Sequence, residues 1–113
     1  MKRMTGKIVL VPFPFTDLSA SKMRPALVIY EGENDVILSF ISSRIPSIPA
    51  ETDVIVSSHS ASFRKSGLKV DSVIKLDKIA TVLKDLVIGE IGEIDETIKK
   101  EVKRKFKKLV DKL

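Results

Sequence analysis

Apolar residues in this chain are gathered into short runs, broken by polar stretches that carry proline, glycine or asparagine. Ile8–Val11, Ala26–Glu31 and Val36–Ile41 are rich in β-branched residues and predict three strands. Between the last two, Glu31-Gly32-Glu33-Asn34-Asp35 predicts a tight polar hairpin turn. Asp53–Ser57 predicts a fourth strand, Leu68–Leu76 one or two more, and Leu86–Ile91 a further short one. Ser57–Gly67 is polar and serine-rich and reads as an exposed loop. The run Asp77–Leu83 fits either a short helix or a bent strand. Five or more short strands joined by loops of uneven length predict a small antiparallel barrel or sandwich.

The pattern changes near the end of the chain. Ile98, Val102, Phe106, Leu109 and Leu113 are spaced 4, 4, 3 and 4 apart, the stripe of an amphipathic helix. Asp95 stands where an N-cap belongs, and Gly92 shortly before it is expected to break the preceding strand. The 113 residues are therefore expected to form one domain, mainly β with a C-terminal helix, without repeats or linkers.

No apolar run approaches the roughly 18 to 20 residues of a membrane span, and no signal-type segment follows the basic N-terminus. Cysteine is absent, which removes disulfides and thiolate chemistry. A cytoplasmic protein without a membrane partner is the expectation. The net charge is +5, and Asp95–Leu113 alone carries +4 of it. The body is thus nearly neutral, so a phosphate ligand must be met by a few placed cations or by the C-terminal segment. Lysines in that segment fall mainly off the apolar stripe, where solvation is their plainest role.

Counting removes several chemistries. A single histidine, His59, cannot supply a histidine acid–base pair, and without cysteine it leaves zinc sites nearly excluded. It lies between Ser58 and Ser60 in a polar loop, where a solvated imidazole is the plain reading and a catalytic couple is not held. The acidic residues are scattered rather than clustered for two metals, and no glycine-rich phosphate loop occurs. No cofactor is expected.

Arginine and hydroxyl remain. Arg24 precedes Pro25, which biases it toward extended backbone. Its guanidinium matches phosphate oxygens and stays charged at any relevant pH. Pairing Ala26–Glu31 with Val36–Ile41 through the turn sets Ser42 or Ser43 roughly opposite Arg24. Such a pair can hold a scissile phosphate and stabilise developing charge. Arg24 as a surface ion-pair partner and Ser42 as a strand terminator is the plain alternative. Phe13 and Phe15 flank Pro14 and fit partly buried loop anchors or stacking partners for single-stranded bases.

Four segments, in order, resemble the MazF/PemK family of ribonuclease toxins. Gly6-Lys7-Ile8-Val9-Leu10-Val11 followed by Phe13-Pro14-Phe15 resembles the family's first strand and loop. Arg24-Pro25-Ala26-Leu27-Val28-Ile29 resembles its most recognisable motif. Ile41-Ser42-Ser43-Arg44-Ile45 is similar to the segment after the third strand, and 67–79 to the segment before the last strand and helix.

The resemblance implies an SH3-like barrel with a C-terminal helix, working as a homodimer. It implies metal-independent cleavage of single-stranded RNA at short sequences, leaving a 2′,3′-cyclic phosphate and a 5′-hydroxyl. On the matching positions, Arg24 would act in proton transfer and phosphate binding, and Ser42 would position the phosphate. Phe15, Thr16, Lys22, Ser43 and Arg44 would contact the RNA. A small antitoxin is implied as partner, its extended tail occupying the RNA groove and the dimer seam. The chain departs from the family at Leu18-Ser19-Ala20-Ser21-Lys22-Met23, where Gly-Ser-Glu-Gln is frequent, and at Asp77-Lys78-Ile79-Ala80, where Asp-Gln-Ile-Arg is frequent. Ser42 stands where threonine is common, which keeps the hydroxyl but loosens its rotamer. These departures bear on cleavage rather than on the fold. The alternative is a non-cleaving protein on the same barrel, either a DNA-gyrase poison or a catalytically silent binder of RNA or antitoxin.

Overall fold

Ile8 and Val9 are neighbours in sequence, yet both are fully buried. Successive strand residues point to opposite faces, so this strand must be covered on both sides. The computed structural model describes residues 3–13 and 22–113 and shows how. Six strands, β1 (Lys7–Phe13), β2 (Lys22–Glu31), β3 (Asp35–Ser42), β4 (Asp53–Val56), β5 (Ser72–Leu83) and β6 (Gly89–Glu93), form one antiparallel sheet. Their order is β4-β5-β3-β2-β1-β6, so β4 and β6 are its edges and the sheet curls into a half-barrel. A short helix α1 (Ser62–Ser66) precedes β5, and the helix α2 (Glu96–Asp111) ends the fold.

One face of the sheet buries Ile8, Leu27, Ile41, Ile74 and Leu76 beneath Ile98 and Val102 of α2. The opposite face gathers Val9, Val11, Ala26, Val28, Val36 and Leu38 inside the curl. Strands buried on both faces read as continuous apolar runs instead of alternating ones, which is why these runs were so dense. The curl depends on an irregularity between β3 and β5. Ser39 faces Ile79 while Phe40 faces Lys75, so residues 76–78 are extra on β5 and bend it. Asp77–Leu83 is therefore a continuation of a bent strand and not a helix.

Four local expectations change. Gly32 N–H donates to the Asp35 carbonyl at 2.8 Å, closing the expected turn, but the expected serine-rich loop contains α1, with Ser62 and Ser66 buried. Leu68–Asp71 lies outside any strand, and β5 starts only at Ser72. Gly92 sits within β6 and does not end it. A Cβ there would come 2.3 Å from the Ser66 carbonyl, so glycine serves the close approach of β6 to α1. The α2 stripe holds through Leu109, whereas Leu113 lies beyond the helix and is fully exposed. Asp95 caps the helix by accepting the Ile98 N–H at 3.0 Å, and that bond holds its carboxyl below the usual range.

Candidate functional site

The site is built where β1 ends, β2 begins and β3 ends. Across β1 and β2, Val11 faces Arg24 and Phe13 faces Lys22. Across β2 and β3, Ala26 faces Phe40 and Leu27 faces Ser39. Continued two residues beyond the last paired residues, this register directs Arg24 toward Ser42. Lys22, Arg24 and Ala26 alternate onto one face, so the exposed guanidinium stands at the mouth of the Val11-lined cluster.

Register also separates the two serines. Ser42 ends β3 on the same face as Phe40, while Ser43 lies in the bend beyond the strand. Ser42 Oγ accepts the Arg44 N–H at 3.0 Å. With that lone pair engaged, the hydroxyl proton remains available to an incoming acceptor. Ser43 lines an open hollow of about 620 Å³ with Ser58, Lys69, Val70 and Asp71. Hydrogen bonds from the Ser58 hydroxyl and from its N–H, the latter at 2.6 Å, keep the Asp71 carboxyl below the usual range.

Lys22, Arg24, Arg44 and Lys69 are exposed at this end, and none forms an ion pair among the described residues. Phe15 and Thr16 lie outside the described residues, and of Phe13 only the strand position is described. His59 is exposed, its N–H donating to Ser57 Oγ at 3.2 Å. Sequence reading missed Lys69 because it placed 68–71 in a strand. Only the pairing of Ser42 with Val73 carries that segment to the end of β3. Among the described residues no three His, Cys, Asp or Glu side chains are grouped to hold a metal. No helix among them is long and apolar enough to cross a membrane.

The half-barrel with its C-terminal helix is also the fold of several solved toxins. The Mycobacterium tuberculosis toxin MazF-mt6 superposes with a TM-score of 0.72 at 17% identity, over 93% of this chain and 96% of that one. A MazE–MazF structure from Deinococcus radiodurans matches at 0.73 and 20% identity, covering 96% of each chain. An endoribonuclease in complex with its cognate antitoxin, from a mycobacterial species, matches at 0.73 and 14% identity, over 97% of this chain and 96% of that one. Among curated protein sequences none matches the chain. The family model for the PemK-like, MazF-like toxin of type II toxin–antitoxin systems spans residues 4–110, and the chain belongs to that family.

Proposed function

We propose that this toxin is a metal-independent endoribonuclease of single-stranded RNA, with Arg24 and Ser42 at its catalytic centre. What supports the reading is the β2–β3 register, whose continuation beyond Ala26 and Phe40 directs the exposed Arg24, without an ion pair among the described residues, toward the Ser42 hydroxyl. The 2′-oxygen of the RNA attacks the adjacent phosphorus, the P–O5′ bond breaks, and a 2′,3′-cyclic phosphate and a 5′-hydroxyl result. One proton passes from the 2′-hydroxyl to the departing 5′-oxygen. Arg24 is assigned to that transfer and to the charge that builds on the phosphoryl oxygens. Ser42 donates to one of those oxygens and fixes the phosphate. Lys22, Ser43 and Arg44 flank the pair and are assigned to the RNA on either side, as are Phe15 and Thr16 of the adjoining segment.

We assign the regulating partner to a cognate antitoxin, as the antitoxin complexes among the similar structures support. The toxin itself is read as a homodimer. Tyr30, Ile79 and Leu83 are 59%, 48% and 57% exposed, and the β2–β3–β5 pairing gathers them on one face as an apolar strip for a second copy. Leu83→Asp is expected to shift the dimer to monomer in sedimentation velocity; an unchanged dimer rejects that contact.

The test of activity is cleavage of a long single-stranded RNA in excess EDTA, with ends mapped and Arg24→Ala alongside. Cuts at a recurring short sequence, with 5′-hydroxyl ends and absent from the variant, are expected. Folded dimer without cuts overturns the nuclease reading and directs attention to a gyrase-inhibition assay.

A further inference from the structure

The hollow of about 620 Å³ beside Ser43 is built by three strand ends. Ser42 pairs with Val73 and Val56 with Ser72, so β5 starts between the ends of β3 and β4. That brings Ser43, Ser58 and the segment Lys69–Asp71 around one opening, immediately beyond Ser42. The segment is pinned at both ends. Leu68 and Ser72 flank it and are buried. Ser72 Oγ donates to the Val70 carbonyl at 2.8 Å, and the Leu68 N–H donates to Ser66 Oγ at 3.1 Å.

Lys69 and Asp71 both line the hollow, yet neither forms an ion pair among the described residues, with the other or with a third residue. A carboxylate has about four lone-pair sites, and Ser58 occupies two of them through its N–H and its hydroxyl. Two acceptor sites therefore stay open, on a carboxylate whose direction Ser58 fixes. Lys69 supplies donors only. Val70, between the two, is 56% exposed and offers an apolar surface to a flat ring. His59 acts on Asp71 through its charge but does not line the hollow.

We propose that this hollow takes a guanine base of the RNA strand, next to the phosphate held at Ser42; the placement rests on the reading of Ser42 as the phosphate contact. In a single strand the Watson–Crick edge is free to be read. Guanine's edge carries one acceptor, O6, followed by two adjacent donors, N1–H and N2–H. Lys69 donates to O6, and the open sites of Asp71 accept the two N–H groups. No other base meets both partners in full. Adenine places the acceptor N1 beside its one donor group, and cytosine follows its N4 donor with two acceptors. Uracil holds a single donor between two carbonyls. Each sets a lone pair against the carboxylate or leaves one of its sites unfilled, which costs binding. The opposite charges of Lys69 and Asp71 cancel, so the hollow reads a base edge, and Arg24 and Arg44 remain for the backbone phosphates.

Fluorescence anisotropy tests it with short 2′-O-methyl oligouridine, which cannot be cut, and with the same strand carrying a central guanosine, adenosine or cytidine. Wild-type protein is expected to bind the guanosine probe about tenfold more tightly than the other three. Asp71→Asn keeps an oxygen for the Ser58 N–H but turns an amide N–H toward guanine's donors, and should abolish that preference. Lys69→Met should weaken the guanosine probe more than the uridine one. Both positions are exposed, and melting curves check folding; Lys69 has no ion pair to lose, so its variant keeps the test valid should Asp71→Asn unfold. Equal binding of the four probes, no binding of any, or an equal loss on all of them in Lys69→Met overturns the proposal. Mapping cut sites on a long RNA separates it from the cleavage reading. Cuts without a guanosine at a fixed position reject the hollow's role and leave the nuclease standing. Guanosine-selective binding without cuts rejects the nuclease and leaves the hollow a guanine site.

Discussion

Two polar clusters differ in what surrounds them, one joining β4, β5 and α2 and the other at the ends of β2 and β3. Asp53 is 1% exposed, accepts the Ala50 N–H at 2.8 Å, and pairs with Lys75 at 3.0 Å. Lys105 of α2 donates to its carbonyl, so one residue ties β4, β5 and the helix together. Burial pushes the Asp53 carboxyl up, but the Ala50 hydrogen bond and Lys75 outweigh it, and the carboxyl lies below its ordinary value. Arg24, by contrast, is exposed and has no carboxylate among the described residues, and Ser42 has the Arg44 N–H at its oxygen. A charge satisfied internally holds elements together. A charge left open at a strand end can meet a ligand.

Substitution at the open cluster should change chemistry without changing stability. Arg24→Ala is expected to lower RNA cleavage by on the order of a thousandfold, about 4 kcal/mol of transition-state stabilisation. Its urea midpoint should stay close to wild type. An active variant would remove Arg24 from the mechanism, and an unfolded one would make it structural. The closed cluster should behave in the opposite sense. Asp53→Ala leaves Lys75 and the Ala50 N–H without their partner, and a loss of about 3 kcal/mol in urea unfolding is expected. Cleavage per folded molecule should be retained.

Ser42 sharpens the contrast by degree. Ser42→Ala is expected to cost about thirtyfold in cleavage, near 2 kcal/mol, while Ser42→Thr restores most of it because the hydroxyl is kept. Equal activity in all three forms would leave the residue a strand terminator. The smallest effect is the response to acid. Because the folded-state carboxyl of Asp53 is lowered, its contribution is complete above the unfolded carboxylate value and is lost as pH falls through the folded one. The urea midpoint of wild type should therefore drop below about pH 4 more steeply than that of Asp53→Asn. Parallel curves would mean that Asp53 contributes nothing to the acid limb.

Much of the fold was legible along the chain. The apolar runs located the strands, the 4-4-3-4 spacing located α2, and Asp95 marked its start, because each rests on neighbours a turn or less apart. The hairpin was legible for the same reason. A short hairpin turn between β2 and β3 already fixes which strand ends lie near each other. Gly92 was misjudged because its reason is Ser66, a residue on another element that presses against it. Lys69 was missed because its place beside Ser43 follows from the β3–β5 pairing.

By its own spacing and turn chemistry, then, the sequence determined most of the strands, the β2–β3 hairpin and the C-terminal helix. Tertiary structure alone decided the bend in β5, the Asp53–Lys75–Lys105 tie and the hollow where the ends of β3 and β4 meet the start of β5. Those features join residues far apart in the chain. Long-range pairing and packing settle such contacts, and local periodicity carries no record of them.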